Sequence, residues 1–275
     1  MAENVRVGAV GYLNAKPLYD GLEDLAPEVR LTLDYPSRLA VQLARGELDV
    51  ALIPSIEYAR GASLGYKILP EVSISSSGPV RSVKLFSRVP FDRIDRLALD
   101  AGSRTSQALA RIWLDRVHKT RPSRIEDLPL GVPAEESTAD AVLVIGDRAM
   151  KVLDADFLAT VDMAEAWKAF TGLPFVFAFW VARENAELGD LPAVLIRCRD
   201  QNLARARELA ETYGPRLGLD VNVCYDYLTK SLQYHFEGRE QAATRLFFQE
   251  ASRLGLAPEG VDLAFPRPKH FAQGR

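Results

Sequence analysis

Three glycine-bearing turns carry the residue types that could bind or act on a small polar molecule. The first follows a run of β-branched residues, Val5, Val7 and Val10, that reads as a strand. Gly8 and Gly11 allow close backbone approach, and Pro17 suits the first turn of a helix. Tyr12 and Asn14 therefore fall at the carboxyl end of a strand, facing a helix N-terminus, where open α/β sheets bind ligands. An ordinary strand-to-helix turn would contain the same residues, so the other two turns matter. Ser103, Arg104, Thr105 and Ser106 follow Gly102 and precede an apolar helical pattern, with Ser103 as N-cap. Free N–H groups and the positive end of the helix dipole at such a turn suit a carboxylate or phosphate, although the hydroxyls can also do no more than cap the helix. Gly146 and Asp147 form the third turn, aimed the same way as the second.

Other chemistries find little support. Glu57, Asp100, Asp147 and Glu165 lie near strand or helix ends, where acids also serve as caps or solvated groups. His118, His235 and His270 are scattered, with no second histidine or cysteine at ligand spacing, so no metal is expected. The absence of a dinucleotide fingerprint, a Walker-type loop and a Gly-x-Ser-x-Gly elbow argues against a nucleotide cofactor and against a serine hydrolase. No cofactor is expected at all.

The chain has 275 residues, 48% hydrophobic and 26% charged, with a net charge of −3. That composition supports a normal core and offers no basic stripe for nucleic acid or an anionic membrane. Cys198 and Cys224 are far apart and fit a reduced compartment. No apolar leader precedes the first strand and no apolar run reaches membrane length, so a cytoplasmic protein is expected.

The elements that must position these turns alternate. Strands at 5–10, 29–33 and 49–53, with helices between them, predict a parallel sheet. Runs at 72–76 and 80–87 flank the turn Ser77-Gly78-Pro79 and could pair antiparallel. A second lobe opens with strand 97–100 and a helix burying Leu109, Ile112, Trp113 and Val117. Strand 141–145, a helix at 162–170 and the apolar strand 173–182 complete it; residues 121–136 read as loop with at most one short strand. Strand 173–182 could return beside 80–87 and make a hinge. The chain beyond Leu191 reads as helices to Tyr213, around 225–236 and over 240–254, packed on the first lobe. The expected division is residues 1–88 plus 183–275 for lobe one and 89–182 for lobe two, an α/β architecture with an interlobe cleft. By itself this suggests a solute-binding protein for a small organic anion.

Five segments in order carry a more specific resemblance: Gly11-Tyr12-Leu13-Asn14-Ala15-Lys16-Pro17-Leu18, Gly78-Pro79-Val80-Arg81-Ser82-Val83, Ser103-Arg104-Thr105-Ser106, Ile145-Gly146-Asp147-Arg148-Ala149, and Trp167 with Thr171-Gly172-Leu173-Pro174-Phe175-Val176-Phe177-Ala178-Phe179-Trp180. Together, over residues 5–183, the chain resembles the menaquinone-biosynthesis chorismate dehydratases of the futalosine route. The resemblance implies a fold like the type II periplasmic binding proteins and conversion of chorismate to 3-[(1-carboxyvinyl)oxy]benzoate; the sequence leaves monomer and homodimer both open. The resemblance also implies Asn14 and Ser82 as substrate-contacting catalytic residues, Asn14 foremost, and makes the turn from Ser103 to Ser106 a candidate for a substrate carboxylate. Gly146 and Asp147 are also candidates, although a capped turn explains them equally well. The sister 1,4-dihydroxy-6-naphthoate synthases share the fold but carry a Cys-Pro-Asn-Asp-Thr-type motif after the first strand, where this chain has Gly-Tyr-Leu-Asn-Ala-Lys-Pro.

Overall fold

The structure, a computed structural model, describes residues 4–266; His270 lies outside the described residues. In chain order its strands and helices are β1 (Val5–Val10), α1 (Lys16–Tyr19), α2 (Leu22–Leu25), β2 (Val29–Asp34), α3 (Pro36–Ala44), β3 (Val50–Pro54), α4 (Ser55–Arg60) and β4 (Lys67–Ser76). The second group is β5 (Val83–Ser87), β6 (Arg96–Asp100), α5 (Arg104–Trp113), β7 (Arg124–Leu128), β8 (Ala141–Ile145), β9 (Ala159–Asp162) and α6 (Met163–Thr171). Then come β10 (Phe175–Ala182), α7 (Leu191–Ala204), α8 (Ala206–Leu217), α9 (Val221–Asp226) and α10 (Gly238–Arg253).

The strands form two five-stranded sheets, β2-β1-β3-β10-β4 and β7-β6-β8-β5-β9. β1 runs parallel to β2 and β3, as the alternation of strand and helix predicts. Gly8 lets α3 lie close on β1, since a Cβ there would stand 2.5 Å from Leu48 and 2.7 Å from Leu39. β10 lies antiparallel between β3 and β4, pairing Phe179 with both Ile53 and Ser73. All eight of its residues are buried, with α4, α5, α6 and α10 packed against it between its two neighbouring strands, and burial of both side-chain sets accounts for an apolar run with no polar alternation. Burying each such large side chain contributes about 1.5–3 kcal/mol.

The sheets correct several expectations. β4 and β5 do not pair; they belong to different sheets, and residues 77–82 carry the chain between them. β10 pairs with β4 and β3 rather than with β5, so the return crossing falls at 172–174. By sheet membership 83–87 goes with the second lobe and 175–182 with the first, inside the expected boundaries at 88 and 182. Val117 is 43% exposed because α5 ends in a π turn over Leu114–His118, whose wider pitch shifts the buried stripe. In the segment expected to be helical around 225–236, helix ends at Ser231, after a second π turn. Beyond it the backbone pairs with β4: Ser75 and Gln233 exchange N–H···O bonds of 2.9 and 2.8 Å, and the Ser73 N–H donates to Tyr234 O at 3.2 Å. An edge strand with open N–H groups outcompetes continuation of the helix. α10 packs on β10 and also touches α5, where Arg116 Nε lies 3.2 Å from buried Glu250, so the C-terminal helices reach both lobes.

Candidate active site

The turn after β1, the crossover before β5 and the turns after β6 and β8 meet between the sheets. Tyr12, Asn14, Ser82, Ser103, Ser106 and Gly146 line a cavity there of about 50 Å³, closed by apolar neighbours such as Ile74 and Phe177. Ligand-holding pockets run about 300–1,000 Å³, so the lobes are shut on one another. Two wider surface concavities, one along Arg6, Asp49 and Arg183 and one along Arg245 and Asp262, receive no converging strand-end turns and are poorer candidates.

Ser82 is wholly buried, and three contacts fix it. Its carbonyl accepts the Gly146 N–H at 2.8 Å, its hydroxyl accepts the Tyr227 O–H at 2.7 Å, and the preceding Val80 and Arg81 N–H groups donate to Asp162 at 3.0 and 2.6 Å. Asp162 also caps α6, and burial raises its pKa despite four N–H donors. Arg81 adopts φ +65°, a left-handed turn that this carboxylate holds in place. Tyr227 is fully buried and its phenol is shifted upward by burial, while the nearby Ser82 and Asn14 side chains act in the opposite sense. Asn14 Oδ1 is buried and has no hydrogen-bond partner among the described residues. An unpaired buried acceptor is costly, and Asn14 is also one of the residues that line the cavity.

Tyr12 reaches across the cleft. Its ring lies on Gly146, where a Cβ would stand 3.1 Å away, and its hydroxyl lies beside Gly102. Gly146 has φ +73° and ψ −164°, a region only glycine occupies readily. Ser103 and Ser106 face the cavity but also serve each other: Ser103 Oγ accepts the Ser106 N–H at 3.4 Å and lies 3.0 Å from Ser106 Oγ. Among the described residues, no cluster of three or more His, Cys, Asp or Glu side chains is placed to hold a metal.

Several expected site residues sit elsewhere. Arg104 leaves the cavity to pair with Glu57 across the lobes at 2.7 Å. Buried Thr105 accepts the Ile56 N–H at 3.1 Å, again tying α5 to α4. One helical turn sends Ser103 and Ser106 to the cleft and Arg104 and Thr105 toward the first lobe. Asp147 does not line the cavity either; both its oxygens lie 3.3 Å from the Leu13 N–H, making it a strap between the lobes. Burial pushes its pKa up to about 6, against the pull of that N–H, Lys151 and Lys16. Asp100 is buried in a clamp, accepting from Gly102 N–H at 2.8 Å, Ile145 N–H at 3.1 Å and Arg148. Glu165 is exposed on α6. Tyr227 is the residue that sequence reasoning missed, because nothing in a helical pattern distinguishes a tyrosine aimed at a cleft from one that fills a core.

Comparison with known proteins follows this geometry. Residues 5–253 match the family described as "Menaquinone biosynthesis". A chorismate dehydratase from Thermus thermophilus is 31% identical, over 92% of this chain and 96% of that protein. A chorismate dehydratase from Campylobacter jejuni is 25% identical, over 91% and 99%. Among solved structures, the periplasmic aliphatic sulphonate binding protein SsuA from Escherichia coli superposes with a TM-score of 0.68 at 15% identity, covering 100% of this chain and 96% of that one. That likeness shows a two-lobed, type II periplasmic-binding-protein fold and nothing of the ligand. Fold and full-length sequence similarity together establish that the chain belongs to the menaquinone-biosynthesis family.

Proposed function

We propose that this protein is a chorismate dehydratase, a carbon–oxygen hydro-lyase that removes water from chorismate to give 3-[(1-carboxyvinyl)oxy]benzoate. The observation that carries this reading is the 31% identity to the Thermus thermophilus chorismate dehydratase over 92% of the chain. The cleft is compatible with it, since the polar side chains of Tyr12, Asn14, Ser82, Ser103 and Ser106 meet there from both lobes. The two free cysteines fit work in the cytoplasm.

Loss of the ring hydroxyl and a proton from the neighbouring carbon makes the ring aromatic, so the reaction runs downhill. The protein has to orient the substrate and favour elimination over rearrangement. Asn14 and Ser82 line the cavity, and neither is a strong base. In this reading the substrate's own enolpyruvyl carboxylate takes the ring proton, and the hydroxyl departs with it as water. The Ser103–Ser106 turn offers its N–H groups and dipole to a carboxylate. Closed lobes exclude bulk water and strengthen each of these contacts.

Incubating the purified protein with chorismate, without metal or nucleotide, tests the proposal. An aromatic product lighter by one water, formed in proportion to enzyme, is the expected result. Intact chorismate that nevertheless raises the melting temperature would favour an anion-binding protein instead. Intact chorismate with no thermal effect would turn attention to the sister synthase reaction.

A further inference from the structure

Tyr12 belongs to the first lobe, yet its side chain ends against both strand-end turns of the second, the one after β6 and the one after β8. Its backbone is held at the start of the short helical turn Leu13–Ala15, where its carbonyl accepts the Ala15 N–H at 3.2 Å. The ring lies over Gly146, and the next residue, Leu13, is strapped to the residue after that glycine, Asp147. Two adjacent positions of one lobe thus dock on two adjacent positions of the other. The hydroxyl end of the ring reaches Gly102. Burial first, and then the Asp100 carboxylate, push the phenol upward, so the group seated there is neutral.

The two glycines have different reasons to be glycine. Gly146 adopts φ +73°, which disfavours any side chain whatever surrounds it. Gly102 lies outside the left-handed region, so its backbone would accept alanine; what is missing is space. A Cβ there would stand 3.2 Å from the Tyr12 hydroxyl, 3.0 Å from Asp100 Oδ1 and 3.3 Å from Leu130. Asp100 and Leu130 belong to the same lobe as Gly102 and stay with it when the lobes part, whereas Tyr12 arrives only with closure.

We propose that Tyr12 is a positioning residue whose ring seats in a slot formed by Gly102 and Gly146, and that this seating sets how far the lobes close over the substrate. A polar strap across the seam can exchange its partner for water. A ring pressed against two backbone turns fixes distance and angle together, because close-packed surfaces do not deform freely. The inference rests on the dehydratase reading and adds to it the determinant of closure.

The test measures kcat/KM for chorismate in Gly102→Ala, Tyr12→Phe and the double variant. Gly102 is not among the residues that line the cavity, so Gly102→Ala alters the slot from outside. It should lower kcat/KM by about tenfold to a hundredfold, mostly through KM, because overpacking penalises the closed state. Tyr12→Phe removes the oxygen that the new methyl group meets. Alone it should cost about threefold; combined with Gly102→Ala it should recover most of the loss, leaving the double variant within about threefold of Tyr12→Phe. Losses that multiply instead would put the fault with Asp100 and Leu130 and overturn the proposal, as does a Gly102→Ala enzyme of wild-type efficiency. Should Gly102→Ala fail to fold, Tyr12→Trp decides, since its larger ring overfills the slot. The product, 3-[(1-carboxyvinyl)oxy]benzoate, should then no longer reduce the radius of gyration in small-angle scattering as it does in the wild type. Contraction equal to the wild type's, or none in the wild type, overturns the proposal. Wild-type protein that leaves chorismate intact overturns the dehydratase reading and takes this inference with it, whereas turnover without suppression overturns this inference alone.

Discussion

Asn14 Oδ1 is buried and has no hydrogen-bond partner among the described residues, and a buried acceptor left unpaired costs about 1–3 kcal/mol. Asn14→Ala is therefore expected to leave the melting temperature unchanged or slightly raised and to lower kcat by about a hundredfold; a clear loss of stability in a melting experiment would make the residue structural. Asp147 makes the opposite kind of prediction. Its pKa rises from 3.8 to about 6 on folding, so between those values the native state holds a proton that the unfolded chain has released. Its contribution to stability falls as pH rises through that window and stays low above it, by about 3 kcal/mol at most. Asp147→Asn keeps an oxygen for the Leu13 N–H without the charge. Its melting temperature should exceed the wild type's above pH 6 and converge with it below pH 4. The place of Asn14 at the cleft was legible from the strand-to-helix turn it follows, whereas Ser82 entered only through the family resemblance; both line the cavity. The Tyr227 contact was not legible, because its partner lies 145 positions away, and neither was the facing of Arg104 and Thr105, because a hydroxyl-rich first turn does not declare which side meets the ligand.

At the level of elements, the strands that flank the site were readable because apolar runs and glycine turns bound them. Pairing was not. An alternating run such as 80–87 fits an edge or a crossing equally well, and only the competition for partners sends β4 to one sheet and β5 to the other. The departure after Ser231 has the same origin, an edge strand recruiting backbone that local propensity would have wound into helix. The α4–α5 contact separates two roles for Arg104. Paired with Glu57 at 2.7 Å and partly solvated, it contributes to closure and little to chemistry. Arg104→Ala should raise KM a few-fold with kcat changed less than twofold, whereas a rise in KM above about a hundredfold would mean direct contact with a substrate carboxylate.

For the molecule as a whole, a cavity of about 50 Å³ cannot admit a substrate without the lobes parting. The two crossings at 77–82 and 172–174 are the covalent links about which they would turn. Resisting that motion are polar straps, among them Asp147 to Leu13, Glu57 to Arg104 and Ile56 to Thr105, and an apolar core that both lobes share. Small-angle scattering should give a larger radius of gyration for the free protein than for the protein saturated with product, and equal radii would show that the lobes do not open. The placement of β10 carries a different consequence, for the chain as it is made. The second sheet uses only residues from Val83 to Asp162, an unbroken stretch. The first sheet lacks the strand that joins β4 to β3 until 175–182 has been synthesised. On the ribosome the later lobe can therefore finish first, while β3 and β4 wait with the edges meant for β10 exposed, and that interval is when a nascent chain of this design most needs a chaperone.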